Sequence, residues 1–283
     1  MKSETLRLYR HELSVCFKGV CFRIALVIAL LLAMTAAGEA FCKQFFNHSV
    51  DSFYLSNLSA WANWIVSDAG LGTVAYVFRM IIPLLAAFPF AWSYNAERAS
   101  GYEVQILVRC SRRDRILAKM FATFCSGAII TGVVCITNII VLLALLPARI
   151  PFYEDWMILG VFYDSLFSYW FYNAPFMFVV LYTMLDMLLM GVWAVFVLCC
   201  SVVLRNRISV LVVPFLALHA WHYINVQLPI SLDMQLPSFN LIDDLDPTFY
   251  LLKSTFPAIA LQLIVLSLAI VVSARLLMSS DAL

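Results

Sequence analysis

The chain has 283 residues, 64% of them hydrophobic and 12% charged, with a mean hydropathy of +0.92 and a formal net charge of +1. No water-soluble domain carries that composition on its surface, so the solvent for this fold is lipid. Runs such as Phe176 to Leu185 and Met187 to Leu204 do not alternate as the roughly 10-residue segments of a membrane β-barrel do, which leaves helices as the spanning elements.

The expected fold is all-α and polytopic, with about six transmembrane helices and both termini cytoplasmic. In the first 21 residues, Leu6, Tyr9, Leu13, Cys16, Phe17 and Val20 recur at helical spacing, with Arg7, His11, Ser14 and Lys18 on the other side. This pattern predicts an amphipathic helix lying on the cytoplasmic leaflet. Gly38-Glu39-Ala40 resembles a signal-peptide cleavage point, but the polar leader is too long for one, and an uncleaved first span is expected. Residues 22–283 then form the transmembrane domain. Its apolar spans fall at about 22–41, 72–95, 117–146, 174–204, 208–226 and 256–277, each near the roughly 20 residues a crossing needs.

Six crossings place 14 of the 18 Lys and Arg residues on the cytoplasmic side, among them Arg98, Arg109, Arg112, Arg113, Arg115, Lys119, Arg205 and Arg207. A seventh crossing at 156–172 would move Arg205 and Arg207 outside. That stretch, with Trp156, Tyr163, Tyr169, Trp170 and Tyr172, is therefore assigned to the outer interface or a re-entrant segment within the outer loop 147–173. The second outer loop, 227–255, carries three prolines with Asp233, Asp243, Asp244 and Asp246. Its carboxylates match no calcium-loop spacing and are expected to be solvated. The eight cysteines read as small apolar packing residues, and no metal site is expected.

Arg79, Asp186, His219 and His222 are ionisable residues within the apolar spans. Such groups are functional candidates by default. Arg79 is the first partner to consider for Asp186, since its long stem reaches toward mid-helix. The two histidines, at i and i+3 beside Trp221, lack a third ligand and read as interfacial. An ion-coupled transporter or channel using Asp186 and Arg79 is the alternative these residues motivate. No Gly-x-Ser-x-Gly turn is present, and no catalytic residue is assigned.

The cytoplasmic segment 97–116 carries two helix-start signals. Ser100 with Glu103 has capping-box spacing, and Ser111 with Asp114 repeats it more weakly before the third span. Between them Val104, Leu107 and Val108 form a small apolar face that needs a partner. The order Glu97, Gly101, Glu103, a short amphipathic helix, a basic turn of Arg109, Arg112 and Arg113, and Lys119 resembles the membrane subunits of the ABC-two class of ATP-binding-cassette exporters. The leader, the six spans and the structured outer loop resemble that class more loosely.

The resemblance implies that Glu97, Arg98, Ser100, Gly101, Glu103, Val104, Leu107 and Val108 couple the membrane helices to a cytoplasmic ATPase. It also implies a second permease subunit, identical or similar. None of the five lysines follows a glycine, so the chain has no phosphate loop of the usual kind. It is then not itself an enzyme. ATP and Mg would be bound by the partner subunit, and the cargo would be hydrophobic or amphipathic: a peptide, a drug or a lipid. A multi-pass position in the plasma (cytoplasmic) membrane is expected, with the lipid bilayer and no nucleic acid among the partners.

Overall fold

The computed structural model describes residues 2–46, 59–67, 72–101, 111–155, 159–162, 165–232, 239–248 and 254–279. These hold α1 (Lys2–Lys18), α2 (Val20–Phe46), α3 (Thr73–Ala87), α4 (Ser93–Ala99) and α5 (Arg112–Leu145). They continue with α6 (Ser168–Asn173), α7 (Pro175–Cys199), α8 (Arg207–Leu232), α9 (Leu241–Asp244) and α10 (Phe256–Ser279). No strand occurs among the described residues. Five helices, α2, α5, α7, α8 and α10, are long and apolar enough to cross a membrane. The chain is a multi-pass membrane protein.

The region expected to be one span at 72–95 is divided. α3 has 15 residues with Pro83 inside it, and a turn at 88–92 separates it from α4. Hydrogen bonds from Phe88 N to Leu84 O (2.9 Å) and from Ala91 N to Ala87 O (3.0 Å) carry a helical path through the turn.

α5 and α7 form the centre of the bundle. A Cβ placed on Gly127 of α5 would lie 2.9 Å from Ala194 Cβ and 3.1 Å from the carbonyl oxygens of Ala86 and Met190. Glycine is what lets α3, α5 and α7 approach this closely, in the manner of small-residue packing in membranes. α2 follows the same logic, burying Ala25, Ala29, Ala33 and Ala37 on the side it turns to its neighbours. α8 and α10 are peripheral and expose most of their apolar surface to where lipid would be.

At one end of the bundle the connecting segments fold inward. Trp64 Nε1 donates to Cys135 O (3.0 Å), Ile65 N donates to Asn138 Oδ1 (2.9 Å), and the Asn138 amide donates to Ala33 O (3.0 Å). Glu39 accepts from the backbone of Thr73 and Val74 at 2.9 and 2.8 Å. A carboxylate in the first span thus serves the exposed N–H groups at the start of α3. The 147–173 stretch supplies short pieces around α6, with Val161, Leu166 and Phe171 buried and Tyr169 and Trp170 exposed. Trp156 and Tyr163 lie outside the described residues.

The expectation of a solvated acidic loop is corrected at the same end. Asp243 and Asp244 are 3% and 0% exposed. Asn240 caps α9 by accepting from Ile242 N (3.0 Å), and Trp221 Nε1 donates to Phe239 O (2.8 Å). Leu241, Ile242 and Leu245 are buried, and they pull the carboxylates in with them. Asp233 lies outside the described residues.

Candidate functional site

The opposite end is built on a buried charge cluster. Ser111 starts α5 with its hydroxyl accepting from Asp114 N (3.1 Å), as its spacing in the sequence predicts. The first two turns of α5 then set Arg115 and Lys119 one above the other on the same face. α4 brings Glu97 against both. Lys119 Nζ is 2.6 Å from Glu97 Oε1, while the Arg115 guanidinium pairs with the other carboxylate oxygen. Lys119 also lies 3.5 Å from Glu12 of α1, 3.3 Å from Ser93 Oγ and 4.9 Å from the centre of the Phe90 ring.

Burial sets the character of this cluster: Lys119, Arg115 and Glu12 are 1, 3 and 3% exposed. Charges this deep persist only when paired, and each here has a partner of opposite sign. α1 is part of this cluster. It packs along α5, with Glu12 in the cluster and Cys16 facing Ala122.

α4 also holds the turn between α7 and α8. The Asn95 amide donates to Leu204 O (2.8 Å) and Asn206 O (3.4 Å), and Arg207 donates to Ala96 O (3.4 Å). One seven-residue helix is thus tied to α5 and α8, and through Lys119 to α1. Beyond Glu97 the chain leaves the bundle: Arg98, Ser100 and Gly101 are exposed. The Ser100 hydroxyl donates to Glu97 O (3.0 Å) and Gly101 adopts φ +72°, a left-handed ending typical of helix C-termini. Glu103, Val104, Leu107, Val108 and Arg109 lie outside the described residues.

The intramembrane candidates are not brought together. Arg79 pairs with Asp246, not with the expected Asp186. The reason is height: Arg79 is about 9 Å into α3, whereas Asp186 is about 16 Å into α7. The folded loop brings Asp246 to the level of Arg79. His222 Nδ1 lies 2.7 Å from Asp243 Oδ1, and His219 Nδ1 contacts Phe215 O (2.9 Å). Asp186 is fully buried between α5 and α7, where the Cys135 thiol donates to it at 3.9 Å.

Sequence reasoning missed Glu12, Glu39 and the pairing of the loop aspartates. A signal for Glu12 was present: it shares the face of Tyr9, Leu13 and Cys16, where a carboxylate is out of place unless a cation meets it.

The fold and the cluster together define a multi-pass α-helical membrane protein with a charged hub at one end. No family model matches the chain, and neither a curated protein nor a solved structure matches it.

Proposed function

We propose that the chain is the membrane-spanning subunit of an exporter of the ABC-two class, driven by ATP hydrolysed on a separate cytoplasmic subunit. In this reading the hub end faces the cytoplasm, α3 and α4 together supply the sixth crossing, and two permease subunits enclose the path of a hydrophobic or amphipathic cargo. One observation carries it. Glu97, the first residue of the motif, pairs with Arg115 and Lys119, and the same helix holds the α7–α8 turn. Movement imposed on the segment after Gly101 would reach α5, α8 and the α7–α8 turn through a few polar contacts, and α1 through Lys119.

The ion-coupled alternative would use Asp186 and Arg79, and Arg79 pairs with Asp246. The test of coupling is the double variant Val104→Asp, Leu107→Asp. Placing charge on the docking face should abolish copurification of a nucleotide-binding subunit and ATP-dependent export, with expression unchanged, since the segment lies outside the bilayer. Normal recruitment and transport by that variant would refute the docking assignment.

A further inference from the structure

Asp186 of α7 and Asp244 of α9 are both fully buried, and each uses only one of its two carboxyl oxygens. Asp186 Oδ2 accepts from the Cys135 thiol at 3.9 Å, and Asp244 Oδ1 accepts from Ser254 Oγ at 2.8 Å. Asp186 Oδ1 and Asp244 Oδ2 have no hydrogen-bond partner among the described residues. The two carboxyls act on each other electrostatically, although one belongs to a membrane helix and the other to the loop between α8 and α10. Tyr182 stands one turn from Asp186 on the same face of α7. Its hydroxyl is fully buried and unpartnered among the described residues, and it interacts with both carboxyls.

Charge balance identifies the ligand. The loop that carries Asp244 also carries Asp243 and Asp246, which are matched by His222 of α8 and Arg79 of α3. Four carboxyls thus meet two bases, and Asp186 and Asp244 are left without a cation among the described residues. Two buried carboxylates would repel each other, and the donors they have, a weak thiol on one and Ser254 with Gln262 on the other, are too few to hold full charges. Each vacant oxygen can instead carry a hydrogen. We propose that Asp186 and Asp244 form a two-proton binding site, and that its protons keep α9 docked on the bundle.

A metal ion is the competing ligand, but no three His, Cys, Asp or Glu side chains come together to hold one among the described residues. α9 docks through Leu241, Ile242 and Leu245, which surround Asp243 and Asp244 in sequence and are buried with them. When base in the solvent takes the two protons, each O–H bond leaves its electron pair on the carboxylate, and two like charges remain in an apolar setting. Asp186 is fixed in α7, so relief comes from α9 carrying Asp244 out to water. His222, with its side chain 20% exposed, is the most exposed of these groups and marks the side from which protons exchange. Because the docked state holds the protons, docking is strongest in acid and weakens with rising pH, by about tenfold per pH unit for each proton released.

The site stands independently of the ATPase reading, and its test uses the purified full chain in lipid vesicles without any ATPase. At about pH 6 exposed Asp and Glu are ionised, so the infrared carbonyl band of protonated carboxyls, recognised by its shift in heavy water, reports buried ones. The band should be present in the unaltered chain, fall by equal shares in Asp186→Asn and Asp244→Asn, and fade toward about pH 9. Docking is read from a Leu245→Cys, Glu154→Cys chain treated with a methanethiosulfonate reagent, position 245 being buried and position 154 exposed. The ratio of labelling at 245 to that at 154 should rise about tenfold or more between about pH 6 and pH 9. It should stay low and flat when both aspartates are Asn, whose amides carry no titrating proton.

The infrared result on the unaltered chain stands even if the double Asn variant misfolds. Absence of the band at about pH 6, or a band that both Asn variants leave intact, would overturn the proton site. Labelling at 245 that follows sodium concentration and not pH would assign the site to a metal cation and overturn it as well. A band without any change at 245, or a rise that the double Asn variant shares, would overturn the link to docking.

Discussion

Glu97 and Lys119 meet at 2.6 Å beneath the bundle, and the carboxylate that receives the ammonium also receives Arg115 through its second oxygen. One acidic side chain on a short helix thereby holds two cations spaced one turn apart on the longest helix of the protein. Glu12 closes the cluster from α1.

The cluster predicts a hierarchy of stabilities. Lys119→Met leaves the buried Glu12 carboxylate without its cation, and breaking such a pair costs about 3–5 kcal/mol. Arg113→Ala, at an exposed position on the same helix, should change stability by no more than about 0.5 kcal/mol. Thermal unfolding of the detergent-purified variants should show a large loss for Lys119→Met and almost none for Arg113→Ala. Equal effects would mean that the cluster is not a structural unit.

Asp244 predicts a pH dependence. Burial raises its carboxyl from the ordinary 3.8 to about 7, with Asp243 adding to the rise and hydrogen bonds from Ser254 and Gln262 opposing it. The unfolded chain then ionises first. Stability is highest below about pH 4, falls as the pH rises toward 7, and levels off above it. Asp243 with His222, and Asp246 with Arg79, lie in the same folded loop region, so the comparison is with Asp244→Asn. The unfolding temperature of the unaltered protein should drop more between about pH 5 and pH 8 than that of Asp244→Asn. Parallel curves would contradict the buried, protonated carboxyl.

Much of this architecture was legible in the sequence because membrane helices announce themselves by length and apolarity. All five long helices lie on spans read from hydropathy, and the Ser111 cap follows from the spacing of a hydroxyl and an acidic residue. The polar loops were less legible. Composition marks Asp243, Asp244 and Asp246 as solvent-seeking, but Leu241, Ile242 and Leu245 bury the same turn, and His222 and Arg79 arrive from helices far away in sequence. Glu39 presents the same difficulty: its partners are backbone N–H groups of another helix, which no side-chain pattern encodes. Arg79 and Asp186 were matched by charge and span alone, and depth separates them.

The crossing at Gly127 predicts sensitivity to a single methyl group. Gly127→Ala brings a Cβ within 2.9 Å of Ala194 and 3.1 Å of two backbone oxygens that cannot move independently of their helices. Overpacking of this kind costs about 1–3 kcal/mol. Gly38→Ala, where an added Cβ meets nothing within 4 Å, is the control and should be neutral or slightly stabilising, because alanine favours the helix. A lower unfolding temperature for Gly127→Ala alone is the expected result.

Sidedness predicts a labelling pattern. Single cysteines at Glu154 and Arg207, both exposed at opposite ends of the bundle, are placed in a chain lacking its native cysteines. In sealed cells a membrane-impermeant maleimide should reach position 154 and not position 207. Asp244 is a poor reporter despite its place in the loop between α8 and α10, because it is fully buried. Labelling of 207 from outside would invert the proposed topology and detach the hub from any cytoplasmic partner.

The central claim, that an external ATPase drives this chain through the segment following Glu97, is tested most directly by site-specific crosslinking in native membranes. A photoreactive amino acid at Leu107 is activated and the captured proteins are identified. The account predicts one dominant adduct with a nucleotide-binding subunit, and its loss when Val104 is replaced by Asp. Capture of lipid alone at Leu107, together with cargo movement in vesicles that contain only this chain and an ion gradient, would contradict it.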